Sequence, residues 1–214
     1  MMKKNGFTLA EVLITLAIIG VVATMTLPAL MNNTQEQQAI TGLKKGINTL
    51  TEAAQLSMAV DGIGYADIKS ESTDNREIEV EQSLYAILAN RTSMDFQKSQ
   101  AGAHPGSDNF AVFLRDGAVI LYDPSTTVTN ATNGEPQNDG LPLGFGIIYD
   151  TNGAKGPNAL SNCLGLNSGA TGDTSEIADC NDKSKRIIKD QFGVKLRGGY
   201  AVPNGAAARW AFTK

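Results

Sequence analysis

The chain of 214 residues is long enough for one globular domain of ordinary size with additional elements. Its 42% hydrophobic and 19% charged residues are typical of a folded chain and exclude general disorder. The formal net charge of −4 argues against a broad nucleic-acid-binding surface, although it leaves room for a local basic patch.

An apolar run occupies residues 7–31, and Glu11 is its single charged side chain. A helix of this length spans about 37 Å, enough to cross a bilayer core of about 30 Å. Lys3 and Lys4 precede the run, and no basic residue follows before Lys44. The positive-inside rule therefore predicts a single-pass membrane segment with a cytoplasmic N-terminus and the rest of the chain outside.

A cleaved secretory signal peptide is a competing interpretation of the same run. Such a peptide ends in small residues of an A-x-A pattern, whereas Ala29-Leu30-Met31 places bulky residues there. The run is also longer than the usual apolar region of a signal peptide. An uncleaved signal anchor stays open.

Glu11 needs an explanation, because a charge at the middle of a bilayer costs about 2.5–3.5 kcal/mol or more. The carboxylate could extend to the headgroups or become protonated. It could also pair with a positive charge, since Coulomb attraction increases steeply in a medium of low dielectric constant.

Residues 4–11, Lys-Asn-Gly-Phe-Thr-Leu-Ala-Glu, resemble the processing motif of type IV prepilins and type II secretion pseudopilins. That motif is a short basic leader ending in glycine, then Phe-Thr-Leu-x-Glu and a long apolar helix. The resemblance covers residues 1–60, and its matching positions are Gly6, Phe7, Thr8, Leu9, Glu11, Gly20 and Pro28.

The resemblance implies cleavage between Gly6 and Phe7 by a prepilin peptidase at the cytoplasmic face, followed by N-methylation of Phe7. Glu11 would then pair with the Phe7 ammonium of a neighbouring subunit and set the register of a filament. The implied partners are other pilin-like subunits, the peptidase, and an inner-membrane assembly platform with its own ATPase. The implied location is the inner membrane, with the C-terminal domain periplasmic or extracellular.

Gly20 and Pro28 lie within the predicted membrane helix. Pro28 removes a backbone donor and clashes with the preceding turn, so we expect a kink there. Gly20 permits close approach of helices. Both residues fit a bundle of curved helices, but they are also common in ordinary membrane helices.

The helix is predicted to continue through residues 32–60. Its apolar residues recur every three or four positions, which predicts one stripe that docks on the chain's own sheet: Ile40, Leu43, Ile47, Leu50, Ala54 and Ser57 or Met58. A coiled coil with another chain is the less favoured alternative, because the pattern lasts under three heptads. Gly42 and Gly46 each cost about 1 kcal/mol of helix stability relative to alanine. Residues 61–64, Asp-Gly-Ile-Gly, end the helix.

A shorter helix is predicted over residues 76–91, with Val80, Leu84, Ile87 and Leu88 on one side. Two strands are predicted within residues 109–122, because Asp116-Gly117 supplies the positive φ of a tight hairpin turn.

Residues 144–149 and 207–214 predict a third and a fourth strand, and the polar segments 123–142 and 150–176 predict loops. The fold class is therefore α+β: a long N-terminal helix, transmembrane in its first half, packed on a small antiparallel sheet, which is also the pilin architecture. The predicted division is a leader peptide (1–6), a transmembrane or filament-core helix (7–31), its amphipathic continuation (32–60) and an extracytoplasmic globular domain (61–214).

Cys163 and Cys180 are too few for a structural zinc site and too far apart for a C-x-x-C redox pair. An exported chain would join them in a disulfide, which for a loop of this size contributes about 3 kcal/mol. Two unrelated buried thiols are the alternative.

Residues 150–158 contain several oxygen-bearing side chains and glycines, but Gly153 comes too early for a D-x-[DN]-x-[DN]-G calcium loop. A turn stabilised by Asp and Asn side chains is the favoured interpretation, and no metal or other cofactor is predicted. The single histidine, His104, is expected in an exposed loop.

The basic residues near the C-terminus predict a solvated face, with subunit contact or DNA capture as alternatives: Lys183, Lys185, Arg186, Lys189, Lys195 and Arg197. No catalytic or nucleotide-binding motif is found, so no enzyme is expected.

The sequence therefore favours a structural subunit of a type II secretion or type IV pilus filament, without separating the two. A signal-anchored extracytoplasmic binding domain that does not polymerise is the alternative.

Overall fold

The computed structural model describes residues 7–68, 83–89, 91–95, 100–105, 109–123, 144–165 and 176–214. The chain divides into a first unit, Met1–Gln38, and a second unit, Ala39–Lys214. Its helices are α1 (Leu9–Val60), α2 (Leu84–Ala89) and α3 (Ala206–Thr213), with short 3₁₀ helices at Tyr65–Asp67 and Asp179–Asn181. Its strands are β1 (Gln100–Ala101), β2 (Phe110–Phe113), β3 (Val119–Tyr122), β4 (Phe145–Asp150), β5 (Gln191–Arg197) and β6 (Tyr200–Pro203).

The second unit is built on an antiparallel sheet in which the six described strands follow chain order from β1 to β6. The predicted hairpin is confirmed: Phe113 pairs with Val119, and Gly117 in the turn has φ 95°. The carboxylate of Asp116 accepts a hydrogen bond from the Ala118 amide at 3.1 Å and stabilises this turn. The α+β class predicted from the sequence is correct.

The apolar stripe of α1 packs against this sheet, as predicted. Leu43, Leu50 and Ala54 are completely buried in one core with the side chains of β4 and β5. Two hydrogen bonds fix the end of the helix: the Tyr65 hydroxyl donates to the Leu50 carbonyl at 2.6 Å, and the Thr51 hydroxyl accepts from the Ala201 amide at 3.1 Å. The stripe therefore serves the chain's own core.

The glycines of α1 have a packing role that offsets their cost in helix stability. A Cβ at Gly46 would overlap the ring of Tyr149, with Cε1 only 2.5 Å away, and one at Gly42 would lie 2.8 Å from Cβ of Thr151. Both glycines thus let the helix approach the end of β4 closely.

Gly46→Ala is expected to lower the melting temperature. Alanine gains about 1 kcal/mol of helix propensity, but forced overlap in a packed core costs about 3 kcal/mol, so the melting temperature should fall by about 4–8 °C. Gly20→Ala is the control, because no heavy atom lies within 4 Å of a Cβ there. An equal or higher melting temperature for Gly46→Ala, measured by circular dichroism, would contradict this packing.

The prediction of a strand at residues 207–214 is wrong, because these residues form α3. Its small residues and Trp210 are buried at helical spacing, with Gly205 (φ 85°) before the first turn. Alanine favours a helix, and it occupies four of the eight positions of α3. Strands β5 and β6 were missed in the sequence, and the Gly198-Gly199 turn joins them.

The predicted helix over residues 76–91 is confirmed only where α2 lies. Leu84, Ile87 and Leu88 are buried there, as the pattern predicts. Val80 and the rest of that segment up to residue 82 lie outside the described residues, as do most of the predicted loop 123–142 and residues 166–175.

Candidate functional site: the N-terminal segment and its helix

The start of α1 is organised by Thr8 and Glu11. Oε2 of Glu11 accepts hydrogen bonds from the backbone amide of Thr8 at 2.7 Å and from its hydroxyl at 2.8 Å. The Thr8 hydroxyl in turn accepts from the Glu11 amide at 3.3 Å. This reciprocal arrangement is a capping box, which satisfies amides that the first turn of a helix leaves without partners.

The capping role was missed at the level of sequence, although the Thr-x-x-Glu spacing is its signature. A carboxylate in the first turn also complements the positive end of the helix dipole. Glu11 thus has a function within its own chain, and any pairing with another subunit has to compete with it or use the same carboxylate.

Phe7, the predicted methylated residue, lies one residue before Thr8 and is 90% exposed. The capping box therefore holds the carboxylate of Glu11 near the backbone position that would carry the new amine after the predicted cleavage. Gly6 lies outside the described residues, so cleavage between Gly6 and Phe7 stays a prediction.

Apart from the half-buried Ala23, the described apolar side chains of residues 9–31 are exposed, and α1 is long and apolar enough to cross a membrane. The large exposed side chains are Leu9, Val12, Leu13, Ile14, Leu16, Ile18, Ile19, Val21, Val22, Met25, Leu27, Leu30 and Met31. Soluble monomers rarely expose so large a continuous apolar surface. The length and composition of this surface are those of a membrane-anchoring segment.

The threonines of this segment are adapted to an apolar medium. The hydroxyls of Thr15, Thr24 and Thr26 donate to carbonyls three or four residues earlier, at 2.8–3.0 Å. Each polar group is thus satisfied inside the helix. The helix is continuous through Pro28, and the kink predicted there stays a prediction.

Cys163 and Cys180 form a disulfide with their Cα atoms 5.0 Å apart, and both residues are completely buried. The carbonyl of Cys180 accepts a hydrogen bond from Arg186 at 3.1 Å, and the guanidinium of Arg186 lies 4.1 Å from the centre of the Trp210 ring. The cystine is therefore connected to α3 through one arginine.

Cys163→Ser is expected to lower the melting temperature under oxidising conditions by about 6–12 °C, because the cross-link contributes about 3 kcal/mol by restricting the unfolded chain. Reductant should lower the melting temperature of the wild type to a similar value and leave that of the variant nearly unchanged. Equal melting temperatures for the two proteins without reductant would show that the cross-link contributes nothing.

The 150–158 segment forms a turn stabilised by side chains, as the sequence favoured. Oδ1 of Asp150 accepts from the amides of Asn152 at 3.1 Å and Gly153 at 2.9 Å. Among the described residues no group of three or more His, Cys, Asp or Glu side chains could hold a metal ion.

The expectation that His104 is exposed is wrong. Its side chain is completely buried and lies 3.2 Å from the carboxylate of Asp150, 46 residues away in the sequence. The solvated-face interpretation of the basic residues is also wrong for Arg197, which is 6% exposed at the end of β5, whereas Lys183, Lys185 and Lys189 are exposed. Arg197 pairs with Tyr200 at the end of the β5–β6 hairpin.

Residues 1–27 match the family model of the prokaryotic N-terminal methylation motif. The matched range contains Gly6, Phe7 and Glu11 and ends just before Pro28. This match confirms the resemblance of the segment to type IV prepilins and pseudopilins. No curated protein and no solved structure matches the chain.

Proposed function

We propose that this chain, which starts with a prepilin-type methylation motif, is a structural subunit of a type II secretion or type IV pilus filament. The motif at residues 1–27 is the observation that carries the proposal, because cleavage and methylation at such a site prepare a subunit for assembly. The chain is not proposed to catalyse a reaction.

The exposed apolar surface of residues 9–31 supports assembly through the helix. In the membrane, lipid covers these side chains, and in a filament the same side chains of neighbouring copies would replace the lipid. Because lipid tails are as apolar as leucine, this exchange gains little from the hydrophobic effect alone. Close packing and charge pairing then have to select the assembled arrangement.

Glu11 provides the charge pairing that selects the assembled arrangement in our proposal. Its carboxylate would pair with the methylated Phe7 ammonium of an adjacent copy, and only one stagger of the two helices brings the charges together. A desolvated charge pair fixes register more than it adds net stability.

The positive charges of Lys3 and Lys4 support a cytoplasmic leader, by the positive-inside rule. Prepilin peptidase would cleave there, and an inner-membrane platform with a separate ATPase would extract the mature subunit. The globular unit would then lie in the periplasm or outside the cell.

Oxidative cross-linking tests the filament directly. A single cysteine at Leu13 or at Leu16, on the exposed surface of the apolar helix, should give disulfide-linked dimers in cells that contain the assembly system. A chain with both cysteines can form two cross-links and should give larger species as well. Recovery of monomers alone, with the chain stably in the membrane, would support the non-polymerising signal-anchored domain instead. Sheared surface fibres would indicate a pilus, and envelope-confined fibres with a secretion defect on deletion would indicate a secretion filament.

A further inference from the structure

The far end of α1 carries an exposed apolar patch. Among the described residues of the second unit, seven large apolar side chains are exposed, and four of them lie on the last two turns of α1 and at the β5–β6 turn: Leu56, Met58, Val60 and Tyr200. Met58 joins the two elements, because its Sδ would lie 2.9 Å from a Cβ at Gly199 in that turn. Clustered apolar side chains on the surface of a soluble domain mark an interaction site.

Two carboxylates border the patch. Asp61 follows Val60 directly, and it binds Arg91 at 2.6 Å, with side chains that are 40% and 18% exposed. Asp67 is exposed and accepts a hydrogen bond from the Gly64 amide at 2.9 Å. The exposed charge here is therefore mainly negative. We define the acidic end of the second unit as six residues: Leu56, Met58, Val60, Tyr200, Asp61 and Asp67.

Three exposed lysines lie near the start of β5, and we define them as the lysine end: Lys45, Lys155 and Lys189. Lys45 binds a carboxylate of the β2–β3 turn at 2.7 Å. The other nearby acids, Asp150 and Asp190, are buried and accept hydrogen bonds from backbone amides. The exposed charge at this end is therefore mainly positive.

The two surfaces lie at opposite ends of β5. The amide of Tyr65, two residues before Asp67, donates to the carbonyl of Gly198 at 2.7 Å, just beyond the end of the strand. Lys189 comes two residues before the start of the strand at Gln191. At about 3.3 Å per residue, the seven steps from Gln191 to Gly198 span about 23 Å. One copy therefore cannot bring its two surfaces together, whereas two copies can.

We propose that the acidic end of one copy docks on the lysine end of a second copy. The lysine side chains suit both parts of the acidic end, because their methylene stems can cover Leu56 and Val60 while their ammonium groups reach Asp61 and Asp67. Such charge complementarity fixes the orientation and the choice of partner more than it adds affinity. The inference rests on the proposed function and names the surfaces of the second unit that meet in the filament.

The contact is heterologous, because it joins two different surfaces. A heterologous contact that does not close into a ring continues into an open filament, whereas a contact between identical surfaces stops at a dimer. Each copy that docks by its acidic end leaves its own lysine end free for the next copy. The two surfaces therefore give the second unit a direction of assembly, in addition to the register that Glu11 sets at the N-terminus.

Disulfide cross-linking of a chain with both Ala66→Cys and Ala154→Cys tests the contact. These alanines are the exposed neighbours of Asp67 and Lys155, so every charge is kept. A disulfide requires Cα atoms within about 7 Å, so a bond between the two positions can join only different copies. In cells that contain the assembly system, we expect dimers and larger species. Either cysteine alone should give at least tenfold less cross-linked product.

The outcomes separate this contact from the filament itself. If Leu13→Cys gives dimers while the Ala66→Cys, Ala154→Cys chain stays monomeric, the filament stands and the contact is wrong. If neither chain is cross-linked, both proposals are wrong. Protection of Ala154→Cys from a water-soluble maleimide, without a disulfide to Ala66→Cys, would show that something else, such as anionic lipid, covers the lysine end, and it would overturn the contact.

A charge exchange gives a second test. Lys155→Glu should reduce the amount of subunit in sheared fibres about threefold or more, and Asp67→Lys in the same chain should restore at least half of the loss. Lys183→Glu is the matched control, because Lys183 is an exposed lysine outside both surfaces, and it should assemble like wild type. An equal loss for Lys155→Glu and Lys183→Glu, or no recovery in the exchanged chain, would contradict the docking.

Discussion

Replacement of Glu11 by alanine is expected to leave membrane insertion intact and to reduce incorporation into filaments by at least about tenfold. In the proposed filament, the variant would leave the Phe7 ammonium of a neighbouring copy without its partner. Loss of one member of a buried pair costs about 3–5 kcal/mol, where each 1.4 kcal/mol corresponds to a factor of ten. The amount of subunit in sheared, pelleted fibres measures the effect. Glu52→Ala is the matched control, because Glu52 is an exposed glutamate in the same helix.

Glu11→Gln separates the two functions of the residue. Glutamine can complete the capping box with Thr8, but it has no charge to pair with an ammonium. We therefore expect Glu11→Gln to be nearly as defective as Glu11→Ala. If Glu11→Gln assembled like wild type, the capping box in a single chain would be the function of this acid, and the pairing argument would be wrong.

Replacement of Gly6 by leucine is expected to abolish maturation. The leader of the prepilin motif ends in glycine, and we expect a leucine side chain at this position to hinder the approach of the backbone to the peptidase. The precursor should persist in a pulse-chase experiment, with no loss of six residues and no filament. Gly6→Ala is the control, since alanine is still small and should be cleaved at least in part.

A Gly6→Leu chain that matures at the wild-type rate would show that this bond is not the processing site. Gly6→Leu also helps to interpret the defect of Glu11→Ala. A chain that keeps its leader and a chain that lacks only the carboxylate should fail at different steps, before and after cleavage.

The long helix and the hairpin were predictable because their signals are local. The apolar stripe through Leu43, Leu50 and Ala54 repeats every three or four residues. Such a repeat indicates a helix with one buried face. Asp116-Gly117 similarly indicates a tight turn, because such a turn requires the positive φ that Gly117 adopts.

Strand β5 also has a local signal, which the charged residues obscured. Phe192, Val194 and Leu196 alternate with Gly193 and Lys195, and the buried positions follow that alternation. Lys195 and Arg197 make this segment part of the predicted basic cluster, and their charges obscure the alternation. The Gly198-Gly199 pair at its end was a further hairpin signal.

The environment of His104 could not be predicted from local sequence. Its partners, Asp150 and Gly153, are brought to it only by the order of the strands, and flanking glycine and proline suggest an exposed loop. For the same reason, the sequence shows only the cost of Gly46 in helix stability. Its packing role depends on Tyr149, a residue of a strand that is distant in the sequence.

The central claim is that the chain acts without its first six residues and with a methylated Phe7. Mass spectrometry of the N-terminal peptide, taken from protein extracted from the membranes and fibres of its own host, tests this claim most directly. We expect a peptide that starts at Phe7 and is 14 Da heavier than the unmodified sequence, the mass of one added CH₂ group. Functional protein that retains Met1 to Gly6 would contradict the account.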